Sequence, residues 1–252
     1  MKTLTGILTA TLLLVGCNKE EPAAPVEVDT STYSERGADN SWPKRPEESA
    51  LPVADDLTAS NYYVVMDASG SMFNAECSEG RRKLDVAKEA LSSFFQQLPS
   101  TANVGMFAFD KHDASERLSL GSYAPEYVSG VANSLVAGGG TPLLTGIQVG
   151  MRALSVQAMK QLGYGEYHLV VVTDGVATSG YEPTSAVNEL LADTPIVVHT
   201  IGFCIDDSHS LNRPGLTLYE SANDPQSLLT GLEAVLAEAP DFQVGAFIEE
   251  QP

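Results

Sequence analysis

Five oxygen-bearing side chains of this chain fall in three short stretches. Asp67, Ser69 and Ser71 lie within Asp67-Ala68-Ser69-Gly70-Ser71, Thr141 follows Gly138-Gly139-Gly140, and Asp174 sits in Thr173-Asp174-Gly175. Carboxylates and hydroxyls are the donors a hard divalent cation prefers, magnesium above all, with manganese or calcium as alternatives. Two aspartates set two negative charges against a doubly positive ion, and hydroxyls bind it without adding charge. Gly70 is expected to permit a tight backbone, so that alternate side chains aim at one point. Magnesium takes six oxygens and keeps waters readily, which leaves space for one more oxygen, such as a partner's carboxylate. Each element alone is ordinary, because Ser and Asp cap helices and make turns. It is the five together, in this order, that point to a metal.

The surrounding pattern places them. Asp67 ends the apolar run Tyr62-Tyr63-Val64-Val65-Met66, and Asp174 follows Leu169-Val170-Val171-Val172-Thr173. Such runs read as buried strands. Strands are expected at 62–66, 104–109, 168–173 and 196–203, with short ones at 118–123 (an edge strand) and 216–220. A helix is expected over 83–98, where Leu84, Ala87, Leu91, Phe94 and Leu98 recur at spacings of three and four and Pro99 stops the run. Others are expected at 125–135, 142–161, 184–191 and 225–237; in the second of these Leu143, Ile147, Met151, Leu154 and Ala158 share a face. Alternating strands and helices imply an α/β fold: a doubly wound, mostly parallel sheet with helices on both faces. Ligands bind such sheets at the carboxyl ends of the strands, where Asp67 and Asp174 stand.

The element Asp67-x-Ser69-x-Ser71, a loop threonine at Thr141 and the aspartate of Thr173-Asp174-Gly175 resemble the metal-ion-dependent adhesion site (MIDAS) of von Willebrand factor type A domains. The run Gly138-Gly139-Gly140-Thr141-Pro142-Leu143 is similar to bacterial members. The resemblance spans about residues 59–240. It implies a Rossmann-like fold, a magnesium ion and a protein ligand held through an acidic side chain. Asp67, Ser69 and Ser71 would hold the metal, and Thr141 and Asp174 would tune its electrophilicity. In several members these last two positions alternate between direct and water-mediated contact as the domain changes state.

The remaining composition fits an exported binding protein. The chain has 252 residues, enough for one sizeable domain with extensions, and no internal repeat is visible. Its formal charge of −19, from 14 basic and 33 acidic residues, argues against nucleic acid, which requires a dense basic surface. Residues 1–16 read as a lipoprotein signal peptide: Lys2 opens it, a short apolar core follows, and Leu14-Val15-Gly16-Cys17 resembles a lipobox whose cysteine is acylated. By that resemblance Cys17 anchors the chain, in the cell envelope, through lipid alone. Asn18, in place of an aspartate retention signal, favours the outer membrane. Residues 17–57 form a flexible Pro/Glu/Ser-rich tether. Trp42, the only tryptophan, lies there, either docked on the domain or exposed. A type A domain is expected at 58–240 and a C-terminal tail at 241–252. Cys77 and Cys204, each beyond the end of a strand on the same rim of an exported domain, are expected to form a disulfide.

Other chemistry finds little support. There is no phosphate-binding Gly-x-x-x-x-Gly-Lys-Ser/Thr loop and no Gly-x-Ser-x-Gly elbow. His168 and His199 read as core histidines; His112 and His209 lie in loops, and no pair has helical ligand spacing. The run Asp206-Asp207-Ser208-His209-Ser210 lacks the glycine and glutamate of a calcium loop. Glu76, Glu79, Asp110 and Asp113 read as solvated rim acids. A metal-dependent phosphohydrolase with Asp67 as nucleophile would want an acid where Ser69 stands and a lysine near Asp174, and neither is expected. The sequence therefore reads as a non-enzymatic module binding a protein partner through a metal, with an envelope scaffold carrying a stabilising metal as the second reading and the phosphohydrolase as the third.

Overall fold

The structure, a computed structural model, describes residues 42–43, 51–205 and 209–237. The signal peptide, Cys17, most of the tether, the residues 206–208 and the tail 241–252 lie outside the described residues.

Six strands form one sheet in the order β3-β2-β1-β4-β5-β6. They are β1 (Ser60–Asp67), β2 (Asn103–Phe109), β3 (Ala114–Gly121), β4 (Glu166–Thr173), β5 (Val197–Phe203) and β6 (Leu218–Ala222). All neighbours run parallel except β2 and β3. The helices are α1 (Lys83–Gln97), α2 (Pro125–Asn133), α3 (Leu143–Lys160), α4 (Thr184–Asp193) and α5 (Pro225–Ala237). Among the described residues no helix is long and apolar enough to cross a membrane.

The central strands are continuously apolar because both faces are covered. In β1 the side chains alternate between the two cores. Tyr62, Val64 and Met66 pack with α1, α2 and α5, and Tyr63 and Val65 with α3 and α4. At ~25 cal/mol per Å² of apolar surface, such doubly covered strands supply the main stabilisation. Helix α1 buries Leu84, Ala87, Leu91 and Phe94 at the expected spacing, and it ends before Leu98 because the residue preceding a proline is pushed out of helical geometry. Helix α3 approaches unusually closely. A Cβ on Gly146 would lie 2.6 Å from Cγ1 of Val65, and one on Gly150 would lie 2.5 Å from Cδ1 of Leu169.

Two strands differ from expectation. The edge strand begins four residues earlier than the expected 118–123. Its half Ala114–Arg117 is polar, and in β3 only Leu118 is fully buried, so no apolar run marks it. Backbone pairing with β2, not side-chain burial, defines it. The last strand begins at Leu218 and not at 216. Thr217 is held in a turn instead, its hydroxyl donating to Leu211 O at 2.7 Å. Trp42 docks: its ring meets Tyr167 edge-on at 5.0 Å between centroids. Ala54 N also donates to Lys160 O at 2.9 Å, so the chain touches the domain before residue 58.

Candidate metal centre

Asp67, the last residue of β1, is wholly buried. Its Oδ1 accepts the Ser69 N–H at 2.8 Å and its Oδ2 the Thr173 hydroxyl at 2.6 Å. Burial pushes its carboxyl up to about 6; the bonds from Thr173 and Ser69 oppose this, and neighbouring Asp174 adds to it. A buried carboxylate beside a second carboxylate is a position that a cation would relieve.

After Asp67 the chain winds into a 3-10 turn, Gly70–Phe73. This brings the hydroxyls of Ser69 and Ser71 to 3.1 Å from one another. The Ser71 hydroxyl donates to Asp174 Oδ1 at 2.6 Å across the gap between the ends of β1 and β4. The glycine-rich loop is laced to both neighbours. Gly138 N donates to Ala68 O at 2.9 Å and Gly70 N to Gly139 O at 3.1 Å. Thr141, 8% exposed, is fixed through its backbone: its N–H donates to the Thr178 hydroxyl at 2.9 Å, and its carbonyl accepts Thr178 N–H at 3.0 Å. All three stretches singled out in the sequence thus meet on one rim. Asp67, Ser69, Ser71 and Asp174 form one hydrogen-bonded group, and Thr141 joins it through loop-to-loop backbone bonds.

The glycine requirement falls elsewhere than expected. A Cβ on Gly70 would meet only Gly139 O, at 3.6 Å. Gly138 and Gly139 are the demanding positions: a would-be Cβ lies 2.8 Å from Cβ of Lys111 at Gly138 and 2.8 Å from Asp110 O at Gly139, where φ is +81°.

Four further residues support the site, and none is visible from spacing alone. Thr173 holds Asp67, as above, and Thr178 holds Thr141. His209 is buried; its Nδ1 accepts Leu211 N–H at 3.2 Å, which leaves the proton on Nε2 to donate to Gly175 O at 3.1 Å. Burial lowers its pKa and so favours this neutral form, against the opposing bond to Gly175. The fourth is Lys83, the first residue of α1. Its Nζ lies 3.0 Å from Asp174 Oδ2 and 3.6 Å from Glu76 Oε2, with the side chain only 4% exposed. The expectation that no lysine stands near Asp174 is therefore wrong. Lys83 is 91 residues away in sequence, and the fold makes them neighbours. The signal available was a cation opening a helix, where the macrodipole disfavours it.

One rim acid is also structural. Asp110 is buried, not solvated. Its Oδ1 accepts His112 N–H at 2.8 Å and Arg117 at 3.1 Å, and its Oδ2 accepts Val136 N–H at 3.2 Å. Burial raises its pKa, but these bonds prevail and hold it below the ordinary carboxylate value. Asp110 thereby braces the stretch that leads into Gly138-Gly139-Gly140. Elsewhere on the rim Cys77 and Cys204 are disulfide-bonded as expected, with Cα atoms 5.9 Å apart across 127 residues. Among the described residues no group of three His, Cys, Asp or Glu side chains is placed to hold a metal, so the ligands available on this rim are mixed carboxylate and hydroxyl. That donor set suits magnesium, calcium or manganese and not zinc.

The sheet and its converging loops have counterparts in known proteins. Among curated proteins, the uncharacterized protein YwmD of Bacillus subtilis (strain 168) is 27% identical over 169 residues, which is 61% of this chain and 72% of that protein. Among solved structures, von Willebrand factor type A from Catenulispora acidiphila matches with a TM-score of 0.58 at 18% identity, over 71% of this chain and 42% of that one. The pilus adhesin SpaC from Lactobacillus rhamnosus GG matches at 0.55 and 16%, over 74% of this chain but only 31% of the adhesin. At these identities the two structures speak for the fold alone. The family model of the von Willebrand factor type A domain matches residues 61–231, well over half of the chain, and the chain belongs to that family.

Proposed function

We propose that this rim is a metal-ion-dependent adhesion site through which the domain binds a protein partner. Asp67, Ser69, Ser71, Thr141 and Asp174 would hold a magnesium ion or a similar hard cation. Bound there, the ion would supply a Lewis-acidic point for an acidic side chain of the partner. The observation that carries this reading is the buried pair of carboxylates, Asp67 and Asp174, at the ends of β1 and β4, linked through Ser69, whose N–H donates to Asp67 and whose hydroxyl meets that of Ser71, and through the Ser71 hydroxyl, which donates to Asp174. A buried carboxylate with a raised pKa is costly, and a divalent cation offsets that through direct attraction. With the signal and lipobox at residues 1–17, the reading extends to a lipid-anchored protein of the cell envelope.

The presence of Lys83 near Asp174 bears on the phosphohydrolase reading, which wanted such a lysine. It does not carry that reading. Both oxygens of Asp67 are engaged, by Ser69 N and the Thr173 hydroxyl, and Ser69 stands where a general acid would be needed. A binding role without catalysis agrees better with these contacts.

Isothermal titration of the full chain with Mg²⁺ or Mn²⁺ tests the proposal. One site is expected, and Asp67→Ala should weaken it by about 100-fold or more, on the scale seen when a metal ligand shell is disturbed. Metal binding that survives the substitution in a folded protein would reject these residues as the site.

A further inference from the structure

Lys83 is an unusual residue for this place. Lysine is almost never fully buried unless paired. It also opens α1, at the helix end that repels cations, and its N-cap position is Arg82, which makes no side-chain cap bond. What compensates is Asp174, whose side chain is fully buried. The two oxygens of that aspartate are divided: Oδ1 accepts the Ser71 hydroxyl and Oδ2 accepts Lys83 Nζ. One oxygen thus turns toward the serine pair and the other is committed to the ammonium. Glu76 Oε2 approaches the same ammonium at 3.6 Å, but its side chain is 74% exposed, so solvent screens it.

Charge balance decides which ligand such a site prefers. Asp67 and Asp174 alone would neutralise a divalent cation. With Lys83 counted, the loaded cluster carries one net positive charge. In a water-poor setting that charge acts strongly over a few ångströms.

We propose that Lys83 is a specificity-determining countercharge: it loosens the site's grip on the divalent ion and leaves the loaded site net positive, so that the ligand it takes is an anion of carboxylate type. The inference rests on the metal reading above and deepens it. Asp174 cannot give both oxygens fully to a metal while one is held by an ammonium. The missing negative charge is supplied from outside, by the partner.

The test is Mn²⁺ affinity, read from the free-ion electron paramagnetic resonance signal, in the full chain and in Lys83→Met and Lys83→Arg. Each is measured in chloride and in acetate at equal ionic strength. In the parent chain acetate should raise the apparent Mn²⁺ affinity several-fold, because a ligand that binds only the loaded site must tighten metal binding reciprocally. Lys83→Met should bind Mn²⁺ about tenfold more tightly in chloride and lose the acetate effect. Lys83→Arg should keep both parent behaviours. If Lys83 were only a structural pairing for Asp174, Lys83→Met would melt earlier without gaining metal affinity, and that result overturns the proposal. So does an acetate effect that persists in Lys83→Met. The acetate arm on the parent chain needs no variant to fold: no enhancement there also overturns it. A parent chain that binds no Mn²⁺ at all would instead reject the metal site itself.

Discussion

Strand β1 carries a buried polar residue near each end, and the two ends are built on opposite principles. Near the amino end Asn61 is fully buried among amides and carbonyls. Its Nδ2 donates to Gln161 Oε1 at 2.7 Å, Glu166 O at 2.8 Å and Ala59 O at 2.9 Å, and its Oδ1 accepts Asn103 Nδ2 at 2.9 Å. Gln161 Nε2 closes the group by donating to Ala59 O at 2.9 Å. Every group there is neutral, and the two N–H groups of Asn61 are shared among three acceptors. At the carboxyl end Asp67, Asp174 and Lys83 bring charge into an equally buried place, with hydroxyls that both donate and accept. A closed neutral network has nothing left to offer a ligand. A charged one with surplus oxygens does. Burial is the same at both ends, so what separates scaffold from site is whether the hydrogen bonding is complete without help.

That contrast can be broken experimentally, beginning with the covalent clasp, which exists only at the carboxyl end. Replacing Cys77 and Cys204 by serine opens a link across 127 residues. It should lower unfolding free energy by about 4–5 kcal/mol on chain-entropy grounds, measured by urea unfolding. Between the two ends lie His168 and His199, with Nδ1 of the first 3.1 Å from Nε2 of the second. Burial lowers His168 to about 4 and, with His168 beside it, His199 to about 3. Both folded values lie below the unfolded value, so the unfolded chain takes up protons first as the solution is acidified. The stability they contribute is intact above pH ~6.5 and is lost as the pH falls from there toward 4, on the order of 3 kcal/mol for each histidine. Urea midpoints across that range should show the slope, and His168→Phe should flatten it.

At the amino end Asn61→Leu strands the buried amide oxygen of Gln161 and the half-buried amide of Asn103. It should cost about 2–3 kcal/mol while leaving Mn²⁺ affinity untouched, as unfolding and metal titration together would show. The smallest stability effect belongs to Asp67→Asn. It removes a buried charge of raised pKa, so the metal-free protein should melt within about 1 kcal/mol of the parent or above it, while losing its metal-induced thermal shift. Opposite responses of Asn61 and Asp67 would confirm the division. Equal loss of stability at both would dissolve it.

How much of this was legible in the sequence depends on where information was local. Continuous apolar runs ending in Asp67 and Thr173 gave the central strands, because strands covered on both faces must be apolar throughout. The bounds of α5, 225–237, followed from the proline that opens it and the apolar periodicity within it. β3 was misplaced because an edge strand buries little, so its polar first half carries no hydrophobic signature. The five oxygen residues were readable because each lies in a short, distinctive stretch, two of them at strand ends. Lys83, Thr178, His209 and Asp110 were not, since each acts on the site from another element and only the folded backbone brings it there. Asp110 looked like any surface acid until its carboxylate was found accepting backbone N–H groups.

The two glycines of α3 have a consequence at a distance. Gly146 and Gly150 let this helix rest its backbone almost on Val65 and Leu169, and the helix begins two residues after Thr141. A helix seated that way has no cushion of side chain to absorb a displacement, so any added methyl group must lift it bodily from the sheet. The threonine rides on its leading end. The placement of a proposed metal ligand is therefore written into bare backbone deep in the interior, far from any group proposed to touch an ion.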